Sequence, residues 1–414
     1  MSAILALEDG TIFRGRSFGA EGEKFGEVVF NTSMSGYQEI ITDPSYKGQI
    51  VAMTYPLIGN YGVNSADAES SKPFIEGFVV KEYSRITSNW RSQKELAVYL
   101  KENNVVGIEG IDTRSLTLHI RQEGAMRAVL STVDPDERSL VRKARGSPGL
   151  AGRDLVKEVI CSKAYKWGQK GKTAPGLFSP VSMRRKNNSG PIFLKGKFKV
   201  AVIDCGVKYN ILRELVKREC EVIVVPCTAT ASQILEMKPD GILISNGPGD
   251  PAALPYIVNT VKALLAKLPV FGICLGHQIL GQAFGGKTYK LKFGHHGANQ
   301  PVKDLKTGRV SITVQNHGFC VDMDSLNKKD IELTHINLND LTPEGLRHKK
   351  LPVFSVQFHP ESSAGPHDAE YLFDDFVEMM KKPKSDTRLS QSRLDRQAGA
   401  GFPKCSKSRC PKQK

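Results

Sequence analysis

The sequence has no apolar run that approaches the roughly 18 residues a helix needs to cross a membrane, so we predict no membrane span. Its amino-terminal stretch, MSAILALEDGTIFRG, has no basic segment ahead of an apolar core and reaches Glu8 and Asp9 early, unlike a secretory signal. It also lacks the Arg-rich composition of a transit peptide. We therefore predict a cytoplasmic protein with no membrane partner.

Cysteine is too sparse for a disulfide scaffold, because eight cysteines are scattered over 414 residues and most lie in apolar segments. Reduced thiols are the expected state. We also predict no phosphate-binding loop of the G-x-x-x-x-G-K-[ST] type, and two globular domains already account for the length of the chain. We therefore predict that this chain binds no cofactor and has no ATP site of its own.

The net charge of +15 is a weak argument for nucleic-acid binding, because it is unevenly distributed. Residues 381–414 hold eleven Lys or Arg against two Asp, a net charge of +9. This segment lacks the interleaved aromatic residues of a stacking platform, so nucleic acid is not a predicted partner. We predict a disordered tail over 382–414, in which Cys405 and Cys410 would need two further ligands to hold a metal.

Composition along the chain suggests two domains joined by a connection. Residues 1–150 consist of short alternating or apolar runs broken by glycine, which predicts a β-rich domain. Residues 151–195 are polar and interrupted by Gly and Pro, as in an interdomain connection. The second domain is predicted to span 196–381.

The second domain alternates strand-like and helix-like segments. In order, these are KFKVAVIDCG, NILRELVKRE, EVIVVPC, ASQILEMK, GILISNG, PYIVNTVKALLAK and PVFGIC. This alternation predicts an α/β fold with a doubly wound, mostly parallel sheet. Ligands of such folds bind at the carboxyl ends of the strands.

One cysteine lies at such a strand end, in VFGICLGHQILG. Gly272 and Gly276 flank Cys274 in the pattern of a nucleophile elbow, where glycines make room for a sharp strand-to-helix turn. The turn places the sulfur at a helix amino terminus, which favours a thiolate. A small core cysteine at a tight turn is the alternative interpretation.

A second strand, in LPVFSVQFHPES, ends at His359 and is followed closely by Glu361. A nucleophile needs a base, and the base needs an orienting partner, so this pair fits Cys274. A histidine that ends a strand is more often structural when it stands alone. The loop Asn246–Pro251, NGPGDP, is either a simple turn or a second wall of an oxyanion hole.

Taken together, GICLGHQ, FHPE and NGPGDP resemble the motifs of class I glutamine amidotransferases. In the first half, EVVFNTSMSGYQEIITDPSYKGQIVAMTYPLIGNYG and GIEGIDTRSLTLHIRQEGAMRAVL resemble the amino-terminal domain of carbamoyl-phosphate synthase small chains. VIDCGVKYNILREL and KFGHHGANQPV are similar to the same family. The resemblance covers about residues 3–380, and the basic tail lies outside it.

The resemblance implies roles for individual residues. Cys274 would be the nucleophile, His359 the general base and acid, and Glu361 the carboxylate that orients the imidazole. Leu275 and Gly249 would offer oxyanion N–H groups. The residues implied to contact L-glutamine are Ser45, Gly247, Gly249, Leu275, Gln278, Asn316, Gly318 and Phe319.

The resemblance also implies a partner. This chain would hydrolyse L-glutamine and pass ammonia to a large carbamoyl-phosphate synthase chain, which would bind two ATP, a divalent metal and bicarbonate. A higher oligomer of such heterodimers is compatible with the sequence. The product would serve pyrimidine synthesis, arginine synthesis or both.

Two alternatives remain open. One is a glutaminase that supplies another synthase, such as one making guanylate or anthranilate, although those relatives lack SGYQEIITDPSY. The other is a non-catalytic protein on the same fold, since a fold does not secure a function. A metal site at His295 and His296 is not predicted, because adjacent residues project differently and no carboxylate or cysteine is suitably spaced.

Overall fold

The computed structural model describes residues 1–168 and 196–381. The predicted disordered tail, 382–414, lies outside the described residues, as do residues 169–195 of the predicted connection. The described ranges contain a closed β-barrel near the amino terminus and a ten-stranded sheet. Within them, no helix is both long and apolar enough to cross a membrane.

The amino-terminal region contains nine strands and four helices. The strands are β1 Ser2–Leu7, β2 Ile12–Ser17, β3 Glu23–Asn31, β4 Gln49–Met53, β5 Leu57–Ile58, β6 Gly77–Val79, β7 Glu82–Tyr83, β8 Val106–Glu109 and β9 Met126–Ser131. The helices are α1 Tyr37–Thr42, α2 Leu96–Glu102, α3 Thr113–Glu123 and α4 Glu137–Gly146. Seven strands close a barrel in the order β1-β2-β8-β6-β4-β3-β9, while β5 pairs with β7.

The apolar runs of the barrel strands are explained by burial on both faces. Val28 in β3 packs in a cluster that includes Leu116 of α3. Its neighbour Val29 packs in a different cluster, with Leu96 of α2. Because successive side chains of a strand point to opposite faces of the sheet, Val28 and Val29 are buried on opposite faces, each in a cluster with a different helix. The β-rich region is therefore built around a closed barrel, whose seven strands leave no unpaired edge strand.

The second region contains ten strands and five helices. The strands are β10 Tyr165–Lys166, β11 Phe198–Asp204, β12 Cys220–Pro226, β13 Gly241–Ile244, β14 Val270–Ile273, β15 Lys287–Asp304, β16 Val310–Asp322, β17 Ile331–Asn337, β18 Pro343–His348 and β19 Val353–Val356. The helices are α5 Tyr209–Lys217, α6 Ala231–Glu236, α7 Pro255–Leu264, α8 Leu275–Ala283 and α9 Tyr371–Lys381. Short 3₁₀ turns lie at Pro44–Tyr46, Val156–Glu158, Pro251–Ala253 and Met323–Ser325.

The predicted α/β fold class is confirmed. Strands β12, β11, β13, β14 and β19 lie side by side and are parallel, with the predicted helices between them in sequence. The sheet also has an antiparallel extension, β18-β17-β15-β16, that the strand and helix pattern did not predict. Parallel neighbours need a long crossover, whereas β15 and β16 are joined by a short turn. Strand β10, from the predicted connection, pairs antiparallel with β12 at the other edge.

Helices cover both faces of the parallel strands. Leu243 of β13 packs in a cluster with Phe376 of α9 and Leu212 of α5. Its neighbour Ile244 packs in a second cluster, with Ile257 of α7. This three-layer packing leaves the carboxyl ends of the parallel strands as the open edge, where ligands of doubly wound folds bind.

The barrel meets the second region through several hydrogen bonds. The Thr32 N–H donates to the His296 carbonyl at 3.2 Å, and the Tyr209 N–H donates to the Glu69 carbonyl at 2.9 Å. Arg213 of α5 forms an ion pair with the buried Glu69 at 2.7 Å. These contacts place barrel residues beside the carboxyl edge of the sheet.

Candidate active site

Cys274 occupies a sharp turn between β14 and α8. Its φ of 53° and ψ of −103° are unusual for a residue with a side chain. A methyl group added at Gly272 would lie 2.7 Å from the Gly276 carbonyl oxygen, and one added at Gly276 would lie 2.2 Å from the Ile244 carbonyl oxygen. Both flanking glycines are therefore required by space, as a nucleophile elbow requires.

His359 and Glu361 follow β19, the parallel strand next to β14. The His359 Nδ1 lies 2.7 Å from Glu361 Oε1, and both side chains are buried. The His359 backbone N–H donates to the Val314 carbonyl at 2.8 Å, which ties this segment to β16. The carboxylate thereby holds the imidazole in one orientation, as an orienting group does.

Neighbouring charges favour the ionised forms of both His359 and Glu361. Burial by itself lowers the pKa of His359, but the Glu361 carboxylate and the Cys274 sulfur outweigh burial and raise that pKa to about 10. Burial raises the pKa of Glu361, but Lys208 and His359 outweigh it and lower that pKa to about 2. Glu361 is therefore ionised, and it stabilises a proton on His359.

The second nitrogen of His359 is available for chemistry. His359 Nε2 is buried and makes no hydrogen bond within residues 1–168 and 196–381. The Cys274 sulfur, one of the groups that raise the pKa of His359, has two polar neighbours. Its thiol donates to the Asn316 carbonyl at 3.6 Å, and it accepts from Gln357 Nε2 at 3.7 Å. The thiol and the free nitrogen thus lie in one buried polar environment.

A pocket opens beside the Cys274 sulfur. It is lined by Ser45, Gln49, Leu150, Gly247, Gly249, Cys274, Gln278, Asn316, His317, Gly318 and Phe319. The structure thus brings together the residues predicted to contact glutamine, apart from Leu275, which directly follows the nucleophile. The Leu275 N–H begins α8, where backbone donors have no partner inside the helix. Contact of these residues with glutamine stays a prediction.

The pocket lies where the two regions meet. Ser45 Oγ, from the barrel region, accepts a hydrogen bond from Asn246 Nδ2 at 2.8 Å. Asp43 accepts from the Ser45 N–H and from Asn316 Nδ2, both at 2.9 Å. A barrel carboxylate thus positions one pocket residue from each region.

Asp43, Lys208 and Gln357 contribute to the site but were not predicted from the sequence. Asp43 accepts from the backbone at the start of the 3₁₀ turn Pro44–Tyr46, and DPSY shows a capping signal that was available. Lys208 and Gln357 give no local signal, since lysine and glutamine are mostly exposed residues. Lys208 Nζ donates to the Ser362 carbonyl at 2.7 Å and lies 3.0 Å from Glu361 Oε1.

The stretch GQAFGGKT, Gly281–Thr288, does match the phosphate-binding pattern G-x-x-x-x-G-K-T, so the prediction of no ATP site cannot rest on the absence of that pattern. That pattern binds phosphate where a loop follows a strand and opens a helix. Here the loop follows α8 and leads into β15, so the order is reversed. The match therefore gives no reason to place ATP on this chain.

Comparisons with known proteins match both regions of the chain to families. Residues 201–379 match the family glutamine amidotransferase class-I, and residues 5–130 match the carbamoyl-phosphate synthase small chain, CPSase domain. A carbamoyl phosphate synthase small chain of Syntrophotalea carbinolica is 55% identical over 92% of this chain and 98% of its own. That of Aquifex aeolicus is 55% identical over 91% and 98%, and that of Rhodopirellula baltica 54% over 92% and 97%.

The fold and the match over 201–379 define a class I glutamine amidotransferase domain. With its amino-terminal domain, the chain belongs to the family of carbamoyl phosphate synthase small chains, the glutamine-hydrolysing chains of that enzyme. A solved structure of a putative GMP synthase protein from Thermoplasma acidophilum aligns with 48% of this chain and 97% of its own at 21% identity and a TM-score of 0.39. The family assignment rests on the sequence matches alone.

Proposed function

We propose that this chain hydrolyses L-glutamine through Cys274, His359 and Glu361. The observation that carries the proposal is the buried His359–Glu361 pair, whose free Nε2 shares one site with a cysteine at a strained elbow. A nucleophile, a base and an orienting carboxylate are the parts that acyl transfer needs.

The first half-reaction forms a thioester. His359 Nε2 accepts the Cys274 proton, and the sulfur attacks the side-chain amide carbon of glutamine. The N–H groups of Leu275 and Gly249 stabilise the oxyanion of the tetrahedral intermediate. The C–N bond then breaks, and His359 donates its proton to the departing nitrogen, which leaves as ammonia.

The second half-reaction releases glutamate. His359 Nε2 removes a proton from water, and the resulting hydroxide attacks the thioester carbon. The C–S bond breaks, the sulfur is reprotonated from His359, and the γ-carboxyl group of glutamate is formed. One glutamine and one water thus yield one glutamate and one ammonia. Glu361 stays ionised throughout, as its lowered pKa supports.

We further propose that a large synthetase chain receives the ammonia. Membership of a small-chain family supports such a partner, which would bind two ATP, a divalent metal and bicarbonate and release carbamoyl phosphate. A stable heterodimer, able to form higher oligomers in the cytoplasm, would supply pyrimidine synthesis, arginine synthesis or both. A purified pair of chains that migrates as two separate species would contradict this proposal.

The test is glutamate release by wild type, Cys274→Ser and Cys220→Ser, each with and without the large chain, ATP and bicarbonate. Cys220→Ser is the matched control, because Cys220 is a buried cysteine of β12 away from the elbow. We expect activity in wild type and control that the partner increases, and none in Cys274→Ser.

Two other outcomes have separate meanings. Activity that persists in Cys274→Ser would remove the proposed nucleophile. Activity that needs Cys274 but ignores the large chain would keep the glutaminase and reopen the identity of the synthase. If a glutamine-like electrophile fails to alkylate Cys274 in the active complex, the non-catalytic alternative gains support.

A further inference from the structure

Three ligand-type side chains meet inside the antiparallel extension of the sheet. His295 of β15 and His317 of β16 are directly opposite each other, and their rings lie 5.0 Å apart in an edge-to-face arrangement. Glu344 of β18 completes the group. One ligand atom from each of the three lies within 4.8 Å of the others, and all three residues are buried.

His295 has one nitrogen fixed and one free. Its Nε2 lies 2.8 Å from Asp340 Oδ2, so this nitrogen carries a proton and donates it. Its Nδ1 is buried, has no hydrogen-bond partner in the described part of the chain, and lies 3.7 Å from Glu344 Oε1. That distance is too long for a hydrogen bond. When Nε2 carries the only ring proton, the free lone pair of Nδ1 points into the group.

His317 faces an oxygen atom at each of its two ring nitrogens. Its Nδ1 lies 2.8 Å from the Phe319 carbonyl, and its Nε2 lies 3.0 Å from Gln315 Oε1. Both neighbours are acceptors, whereas a neutral imidazole has only one proton to donate. If Nδ1 donates to Phe319, the Nε2 lone pair faces the Gln315 oxygen, and a cation bound between the two would satisfy both.

Glu344 is the third incomplete group. Its side chain is fully buried, and Oε1 accepts from Asn337 Nδ2 at 3.1 Å. Oε2 accepts no hydrogen bond from any residue that the structure describes. A buried carboxylate oxygen without a partner is costly, and coordination to a metal is one of the ways that proteins compensate it.

We infer that His295, His317 and Glu344 form a metal site, and that its ion is zinc. Imidazole nitrogens and a carboxylate oxygen are zinc ligands, and tetrahedral bonds near 2.1 Å separate neighbouring ligand atoms by about 3.3 Å. The 3.7 Å between His295 Nδ1 and Glu344 Oε1 needs only a small contraction. Gln315 Oε1 or water supplies the fourth ligand.

The surroundings have the features of a metal site. Metal-bound histidines usually donate their other ring N–H to a carboxylate or a backbone carbonyl. Asp340 serves His295 in this way, and the Phe319 carbonyl serves His317. The adjacent His296 points elsewhere, with Nδ1 2.9 Å from Asn316 Oδ1, so only one of the two neighbouring histidines belongs to the site.

The site would stabilise the wall of the substrate pocket. His317 and Phe319 both line the pocket beside Cys274. The Phe319 carbonyl also accepts from Gln278 Nε2 at 2.8 Å. A metal ion joining β15, β16 and β18 would hold this wall in place without entering the reaction. The inference therefore does not depend on the proposed function.

A purely ionic arrangement is the competing explanation. In it, His295 carries two protons and bridges Asp340 and Glu344, a state that fits the pKa of His295, raised to about 9 because the two carboxylates outweigh burial. It leaves Glu344 Oε2 and His317 Nε2 uncompensated. The two explanations differ in zinc content and in the number of protons on His295.

The test uses the full chain, purified without a histidine tag and dialysed against excess zinc and then against buffer. Zinc per chain is measured by mass spectrometry for wild type, Glu344→Gln, Asp340→Asn and His119→Gln. His119→Gln is the matched control, because His119 forms a surface pair with Asp9 at 2.6 Å but is not in the group. Cobalt titration of wild type, followed by visible absorption, needs no variant.

We expect about one zinc per chain in wild type and in His119→Gln. Glu344→Gln should lose the ion, and Asp340→Asn should bind it roughly 10 to 100-fold more weakly. Cobalt should give the intense visible bands of a four-coordinate site. Zinc in wild type that does not exceed that in Glu344→Gln, no such cobalt bands, or a nitrogen NMR spectrum with two protons on His295 in zinc-treated protein would each overturn the inference.

Discussion

Lys208 Nζ lies 3.0 Å from Glu361 Oε1, and the two side chains are 2% and 0% exposed. Lys208 lies between β11 and α5, and Glu361 lies beyond β19, so the strand order of the sheet brings them together. Burial alone lowers the pKa of Lys208, but Glu361 and nearby carboxylates outweigh it and raise that pKa. A buried cation thus keeps the carboxylate beside His359 ionised.

Replacing Lys208 with methionine should impair the active site through Glu361, the carboxylate that Lys208 contacts. Removing one partner of a buried ion pair costs about 3–5 kcal/mol of unfolding free energy, because the other charge is left uncompensated. The pKa of Glu361 should rise, and glutaminase kcat should fall at least about tenfold as His359 loses its orienting charge. Thermal unfolding and the pH profile of kcat measure the two effects. Lys217→Met, at a lysine that is 59% exposed in its pair with Glu370, should cost about 0–1 kcal/mol. Equal effects of the two variants would contradict this role.

The stability of the chain should fall as the pH rises from about 6.5 to about 10. His359 has an ordinary pKa of 6.5 that is raised to about 10 in the folded chain, so the folded state binds more protons in this window. Its contribution is complete below the unfolded pKa and is lost as the pH passes the folded one. His359 faces Glu361 and Cys274, and His317 lies close enough to interact electrostatically.

Denaturant unfolding of wild type and Glu361→Gln across this range measures the effect. The variant should show a smaller decline, because its histidine has lost its main partner. His295 faces Asp340 and Glu344 and is unchanged by the Glu361→Gln substitution, so any contribution from it cancels in the comparison. Identical slopes would show that Glu361 does not set the pKa of His359.

Asp43→Ala should weaken substrate binding more than it slows turnover. Asp43 accepts hydrogen bonds from the Ser45 N–H and from Asn316 Nδ2, and both residues line the pocket. Hydrogen bonds to charged groups contribute about 1.5–3 kcal/mol, so KM for glutamine should rise about tenfold or more. Steady-state glutaminase kinetics give KM and kcat separately. Asp9→Ala, which removes a similar local contact to the Thr11 N–H on the surface, should leave KM unchanged. A fall in kcat at constant KM would place Asp43 in the chemical step instead.

Gly247→Ala should disrupt the pocket by steric overlap. An added methyl group would lie 2.0 Å from the Cys205 carbonyl oxygen and 2.8 Å from Leu275 Cδ2, next to the nucleophile. Overpacking of this kind typically costs about 1–3 kcal/mol, and here the backbone itself must move. We expect a lower melting temperature and a large loss of glutaminase activity. Gly149→Ala is the matched control, since nothing lies within 4 Å of its added methyl group. If the two variants behave alike, Gly247 is not required for spatial reasons.

Several features of the protein could be predicted from the sequence because they depend on local constraints. The alternation of strands and helices predicted the parallel part of the sheet, since periodicity reports which face of each segment is buried. Gly272 and Gly276 predicted the elbow. A side chain at Gly272 would overlap the Gly276 carbonyl oxygen, and one at Gly276 would overlap the Ile244 carbonyl oxygen. His359 and Glu361 are two positions apart in the chain, so their pairing could also be predicted from the local sequence.

Other features were decided by the tertiary structure, because they join segments that are distant in sequence. The strand order brings Lys208 to Glu361, and the contact between the two regions brings Asp43 to Asn316. The antiparallel extension brings Glu344 to His295, a pairing that sequence spacing had argued against. The hydrophobic pattern of a single segment does not indicate such contacts, since each of these side chains is an ordinary polar residue within its own segment. Exclusion of water strengthens the direct attraction within these pairs and makes the loss of one partner costly, and water is excluded only when the sheet is assembled.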